Sequence, residues 1–218
     1  MRQIEQALEK IPTRIVEHYA LSSILSELGY SRINDKIVQL IRHKVLTPLK
    51  RGLYIYMPLH NNLLLSTELI ANRLLSPSYV SLDWALSYHN IIPERVEVVT
   101  SVTTKRSKEF TTPFRVFSYK QIKKELFSIG LLIENSQDIS YIIASKEKAL
   151  CDKLFFMKDI DVRSKRAMIE FLEDDLRVDL DEYKDADLSV FESYYNISKS
   201  QKIGVLTKIM QGVKNGDY

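Results

Sequence analysis

A chain of 218 residues has room for one large domain or two small ones of ~100–150 residues each. Its 45% hydrophobic and 27% charged residues are ordinary for a soluble globular protein and set aside disordered and fibrous classes. The net charge of +3 is too mild to argue for a nucleic-acid partner, but it is unevenly spread: residues 1–60 hold nine Lys/Arg against five Asp/Glu, and residues 151–218 hold eleven against fourteen.

Taken in chain order, an apolar helix pattern ends at Pro12. A short helix is predicted over 22–28, a break at Gly29-Tyr30-Ser31, and a second helix over 32–44. Two apolar stretches, Val45-Leu46 and Leu53-Tyr54-Ile55-Tyr56, then flank Lys50-Arg51-Gly52 as a hairpin with a basic tip. Helix, turn, helix and basic hairpin is the order of a winged helix-turn-helix, which sets its second helix in the major groove and its wing on phosphates. Within that second helix, Ile33, Ile37, Leu40 and Ile41 make one apolar stripe. Arg32, Lys36, Gln39, Arg42 and His43 lie opposite. Ser31 is placed to cap the helix. Asn34 and Gln39 suit the adenine edge, and Arg32 and Arg42 suit guanine or phosphate. The plain alternative is a packed helix with a solvated face; the basic tip that follows, Lys50 and Arg51, favours the nucleic-acid reading.

The stretch Pro58-Leu59-His60-Asn61-Asn62 reads as a linker, dividing the chain into a head of residues 1–58 and a body of residues 63–218. In the body, a helix is expected over 63–75 and a strand over 79–82. Asp83 is expected to cap a helix running to about His89. Density in Val and Thr predicts a strand over 95–104, then strands over 108–112 and 114–119. A short helix is read over 121–127 and a strand pair over 129–134 and 139–144, joined at Asn135-Ser136-Gln137-Asp138. Ser145 is expected to cap a helix over 146–157. Helices over 163–172, 185–194 and 200–213 complete the pattern. The fold class expected is α+β, with a winged head followed by a mixed domain with a small, mainly antiparallel sheet. The stretch 170–187 holds nine acidic and two basic residues and reads as a solvated helical surface.

Several blocks in this order resemble a known family. They are Tyr79-Val80-Ser81-Leu82, Ala85-Leu86-Ser87-Tyr88-His89, Ile92-Pro93-Glu94-Arg95, Val98-Val99-Thr100-Ser101-Val102-Thr103-Thr104, Phe110-Thr111-Thr112-Pro113, Phe117-Ser118-Tyr119 and Ile143-Ala144, followed by Glu147-Lys148-Ala149-Leu150 and Asp152-Lys153-Leu154. With the head included, about residues 10–155 resemble the AbiEi family, the antitoxins of bacterial abortive-infection (type IV) toxin–antitoxin operons. The resemblance implies a head that binds inverted repeats in its own promoter and represses the operon. It also implies a C-terminal part that counteracts a nucleotidyltransferase-like toxin. By position, Arg32, Lys36, Arg42, Lys50 and Arg51 would meet DNA. Related sequences often carry glycine where this chain has Arg115, so a bulge or wider loop is expected there.

Enzyme signatures are missing from the sequence, and the expectation is a non-enzyme with no cofactor or metal. None of the six glycines is followed by Ser or Gly, and no Gly-Lys pair offers a phosphate loop. The histidines at 18, 43, 60 and 89 lack metal-ligand spacing, and His89 reads as a packing or capping residue. Asp159-Ile160-Asp161, Asp179-Leu180-Asp181 and Asp185-Ala186-Asp187 read as surface carboxylates. A nuclease assembled from Asp83, Glu97 and Lys105 has no supporting spacing. The turn holding Lys105 and Arg106 is a further candidate contact for toxin or DNA. The single cysteine, Cys151, excludes an internal disulfide and reads as a buried thiol. With no apolar run near ~18 residues and no signal-peptide pattern, a cytoplasmic location is expected. The alternative function is a one-component regulator whose C-terminal part senses a small ligand.

Overall fold

The computed structural model describes residues 2–58, 65–136, 139–158 and 164–217. The expected linker residues 59–62, the turn residues Gln137 and Asp138, and Asp159-Ile160-Asp161 lie outside the described residues.

The first unit runs α1 (Arg2–Glu9), β1 (Ile15–Glu17), α2 (His18–Glu27), α3 (Ile33–Arg42), β2 (Leu46–Lys50) and β3 (Leu53–Tyr56). Apolar residues at helical spacing build its core: Ile4, Leu8, Leu21, Leu25, Ile37 and Leu40 pack with Val16, Val45, Leu46 and Tyr56. The predicted break after α2 is a Schellman turn. Gly29, at φ +83°, donates its N–H to Ser26 O, and Tyr30 N donates to Leu25 O. The same turn ends α3 at Arg42 instead of 44, because Lys44 takes the left-handed conformation at φ +58° and Val45 N closes onto Leu40 O. Ser31 does not cap α3. The N-cap is Arg32, whose side chain makes no capping bond.

Strand β1 was not expected. Its three residues are too few for a periodicity, yet they pair antiparallel with β3, giving a three-stranded sheet of order β1-β3-β2. Alternate residues of this sheet face opposite ways. Val16, Leu46 and Tyr56 meet the helices, whereas Ile15, Leu49, Leu53 and Ile55 join the core of the body. The head's sheet is therefore shared between two apolar clusters.

The body begins with α4 (Thr67–Leu74), β4 (Ser78–Val80), α5 (Leu82–Tyr88), β5 (Val99–Thr103), β6 (Lys108–Thr111) and β7 (Val116–Gln121). It continues with α6 (Lys124–Phe127), β8 (Leu131–Ser136), β9 (Ile139–Ala144) and α7 (Lys146–Phe156). After α8 (Lys165–Glu170) come a π-helical turn, Phe171–Asp175, and a 3-10 turn, Leu180–Tyr183; then α9 (Leu188–Ser198) and α10 (Gln201–Asn215). The class is α+β, but the sheet is larger and more mixed than expected. Six strands take the order β6-β7-β5-β4-β9-β8, with β5–β7 and β4–β9 parallel.

Three local readings are corrected. Residues 95–98 are irregular, and the strand starts at Val99. Ser81, not Asp83, is the N-cap of α5, and Asp83 is spent on an ion pair with Lys153 at 2.6 Å. At Arg115 the loop stays tight: Thr112 Oγ1 accepts from the N–H groups of Phe114 and Arg115 and donates to Arg115 O.

Helix α7 is the hub of the body. Ser145 caps it, as expected, by accepting from Lys148 N. Lys148 and Asp152, one turn apart, are both fully buried and paired at 3.0 Å. Asp152 also accepts from Tyr79 OH, Ser81 Oγ and Tyr194 OH at 2.8–2.9 Å, so both of its oxygens are doubly bonded. Lys148 donates to Leu126 O at 2.7 Å and lies 4.5 Å from the Tyr194 ring centre and 5.3 Å from that of Tyr79. Glu147 accepts from Asp187 N at the start of α9. One helix thus ties β4, α5, α6 and α9 together through its charges.

Gly130 lies against this hub. It has φ +59°, and a Cβ there would sit 2.9 Å from Val190 Cγ1 and 3.0 Å from Lys148 Cβ. Gly130→Ala is expected to cost ~1–3 kcal/mol in urea unfolding, from overpacking and the left-handed backbone together. A shift below ~0.5 kcal/mol would mean that the neighbours yield freely.

Candidate nucleic-acid interface

Helix α3 rests on the head core through Ile37 and Leu40, with Ile33 and Ile41 packed partly against it, and turns its polar face outward. Arg32, Asn34, Gln39, Arg42 and His43 are exposed, as the stripe predicts. Three of the expected contacts, Arg32, Lys36 and Gln39, are already engaged. Arg32 Nε pairs with Asp35 at 2.7 Å; Lys36 Nζ donates to Gln39 Oε1 at 2.8 Å and lies 4.9 Å from the Tyr30 ring centre. Asn34 and Arg42 have no side-chain partner among the described residues. Ser31 is exposed beside them. Val38, overlooked in the sequence because an apolar residue reads as core, sits among these polar groups and is 47% exposed.

The hairpin tip differs from expectation. The turn is Arg51-Gly52, with Gly52 at φ +80°, and Gly52 O accepts from His18 N at 2.8 Å, which holds the tip against the head. Arg51 is exposed. Lys50 points the other way: its Nζ donates to Leu74 O, at the end of α4, at 2.7 Å. Burial, then the nearby charge of Lys108, push its ammonium below the usual lysine range, while Glu17 opposes them. Lys50 is thus an anchor between head and body, not a free cation.

That anchor brings two sequence-distant candidates together. Lys50 Nζ and Lys108 Nζ lie 6.0 and 4.7 Å from the centre of the same Phe110 ring. Lys108 opens β6 directly after the β5–β6 turn. The exposed β5–β6 turn with Lys105 and Arg106 therefore belongs to the neighbourhood of the hairpin tip. Lys108 and Phe110 went unremarked as site residues. Their signal was available, since positions two apart on a strand share a face.

The other chemical candidates disperse. Asp83 pairs with Lys153, and Glu97 lies 4.0 Å from Arg115. No group of three or more His, Cys, Asp or Glu that could hold a metal forms among the described residues. His89 Nε2 bonds Ala144 O at 2.8 Å, a packing role. Cys151 is fully buried, and burial pushes its thiol up, away from reactivity. Among the described residues no helix is long and apolar enough to cross a membrane. Compared with models of protein families and with curated proteins, the chain matches none.

Proposed function

We propose that the chain is an antitoxin and transcriptional autorepressor of a type IV, abortive-infection operon used in phage defence. In this reading, residues 2–58 dock on inverted repeats of their own promoter as a winged helix-turn-helix. The partners are the operator DNA and a nucleotidyltransferase-like toxin. The observation that carries the DNA half is α3: a second helix, set by a tight turn on a firm core, that turns Asn34, Val38, Gln39 and Arg42 outward together. The antitoxin half rests on the resemblance of the blocks between Tyr79 and Leu154.

The roles follow from chemistry. Arg42 reads guanine, Asn34 reads adenine, and exposed Val38 suits a thymine methyl. Arg32 and Gln39 join once their internal partners release them. Arg51, Arg106 and Lys105 provide salt-dependent phosphate contacts. Lys50 is a positioning residue that fixes the tip on the body. A one-component regulator is the second reading, favoured by the cleft at Trp84 described below.

Fluorescence anisotropy on the DNA upstream of the gene, against scrambled DNA, tests the reading. Arg42→Ala is expected to weaken the specific complex by ~10–100-fold and leave scrambled DNA unchanged. Arg51→Ala is expected to weaken both alike and lower the salt slope by about one. Equal, weak binding of both DNAs by the unaltered chain would end the repressor reading. The antitoxin half expects a nucleotidyltransferase-like gene directly beside this one and growth rescue when the two are co-expressed; absence of the gene or of rescue would end it.

A further inference from the structure

We propose that the cleft beside Trp84 is a binding site for a small planar organic anion carrying a carboxylate. The cleft, of ≈ 260 Å³, is lined by Glu68, Trp84, Ser87, Tyr88, Arg95 and Arg115 with Val96. A cavity of about 150 Å³ holds a benzene ring, and drug-sized ligands occupy about 300 Å³ or more. The space therefore matches one ring with a single charged group.

The charge of the ligand follows from which polar groups are already satisfied. Glu68 accepts from Trp84 Nε1 at 3.0 Å and from Ser66 Oγ at 3.2 Å, so each carboxylate oxygen has a partner inside the protein. Ser87 Oγ donates to Glu94 O, and Tyr88 OH bonds Tyr141 OH. The two guanidiniums are less committed. Arg115 lies 5.1 Å from the Trp84 ring centre, reaches Glu97 O at 3.3 Å, and is only 4.0 Å from a Glu97 carboxylate that is 80% exposed. Arg95 is exposed and makes no side-chain hydrogen bond or ion pair among the described residues. Arg95 and Arg115 against Glu68 leave the lining one positive charge. Guanidinium forks match a carboxylate with two parallel hydrogen bonds. Trp84 and Tyr88, with the Arg115 guanidinium 5.1 Å from the Trp84 ring centre, supply aromatic lining for a ring. The site stands apart from α3 and holds whether or not the head binds DNA.

Trp84 is the sole tryptophan, so its emission reports this cleft alone. The full chain is titrated with sodium benzoate and, separately, with benzamidine, which has the same ring and the opposite charge. Benzoate is expected to change Trp84 emission saturably with a midpoint of ~1 mM or tighter, and benzamidine is not. Arg95→Ala, a change at an exposed residue outside regular structure, is expected to raise the benzoate midpoint about tenfold with the far-ultraviolet dichroism unchanged. Linear quenching without saturation, equal saturation by benzamidine, or an unchanged midpoint in Arg95→Ala would each overturn the assignment. If Arg95→Ala alters the dichroism, Arg95→Gln replaces it, with the same outcomes.

Discussion

Asp152→Ala is expected to lower the unfolding free energy by ~3–5 kcal/mol, a large share of what a domain can lose before it unfolds. The loss has two parts. Removing the carboxylate strands the Lys148 ammonium, which is fully buried and keeps only Leu126 O and two ring faces. It also removes the acceptor shared by Tyr79 OH, Ser81 Oγ and Tyr194 OH. Lys148→Met is expected to cost less, because the carboxylate left behind retains those three donors. Urea unfolding followed by Trp84 emission reads both midpoints. If Lys148→Met proves the more damaging change, the hydroxyl donors do not hold the carboxylate as argued.

Stability is expected to hold up to about pH 8.5, sag slightly, and then fall steeply above about pH 10. Burial pushes the phenols of Tyr119 and Tyr183 well above their ordinary value near 10. At Tyr79 and Tyr194 burial acts first and the charge of Asp152 adds to it. In each case the folded pKa is raised, so the unfolded chain releases its protons first. The stabilisation is present below the unfolded pKa and is lost as pH climbs toward the folded one. Each withheld phenol costs ~1.4 kcal/mol per pH unit above 10, so the four together cost roughly 5–6 kcal/mol per unit. The buried Cys151 thiol, shifted the same way, accounts for the earlier sag. Absorbance at 295 nm and circular dichroism, followed together, test this. These four phenols, and with them Tyr141, which burial and its bond to Tyr88 also push up, should ionise only as the dichroism collapses. Titration of all twelve tyrosines near pH 10 with the dichroism intact would contradict the burial assigned to them.

Most of the head's element order was legible in the sequence, because α2, α3 and the β2–β3 hairpin are specified locally. Gly29 marks the break, and Ile37 and Leu40 mark the inner face of α3. In the body, the Ser145 cap and the burial of Cys151 were legible for the same reason. Ser31 looked like a cap, yet Arg32 holds that position, since a capping residue type only permits a cap. In the candidate interface, Arg42 and Asn34 could be placed from the helical period alone. Neither the inward turn of Lys50 nor its meeting with Phe110 and Lys108 could be, because those partners lie more than twenty residues away.

The sequence by itself thus determined which segments become helices, which faces of them are apolar, and that the chain mixes helices and strands. The tertiary structure alone decided the strand order, the shared core between head and body, and the fate of the charges on α7. Periodicity reports the environment of a residue along its own element, and it marks Lys148 and Asp152 only as polar. Whether such a pair faces water or a closed shell of tyrosines depends on β4, α6 and α9 arriving from distant parts of the chain. A buried charge is tolerable only where those donors and acceptors converge, and that convergence is a property of the assembled fold.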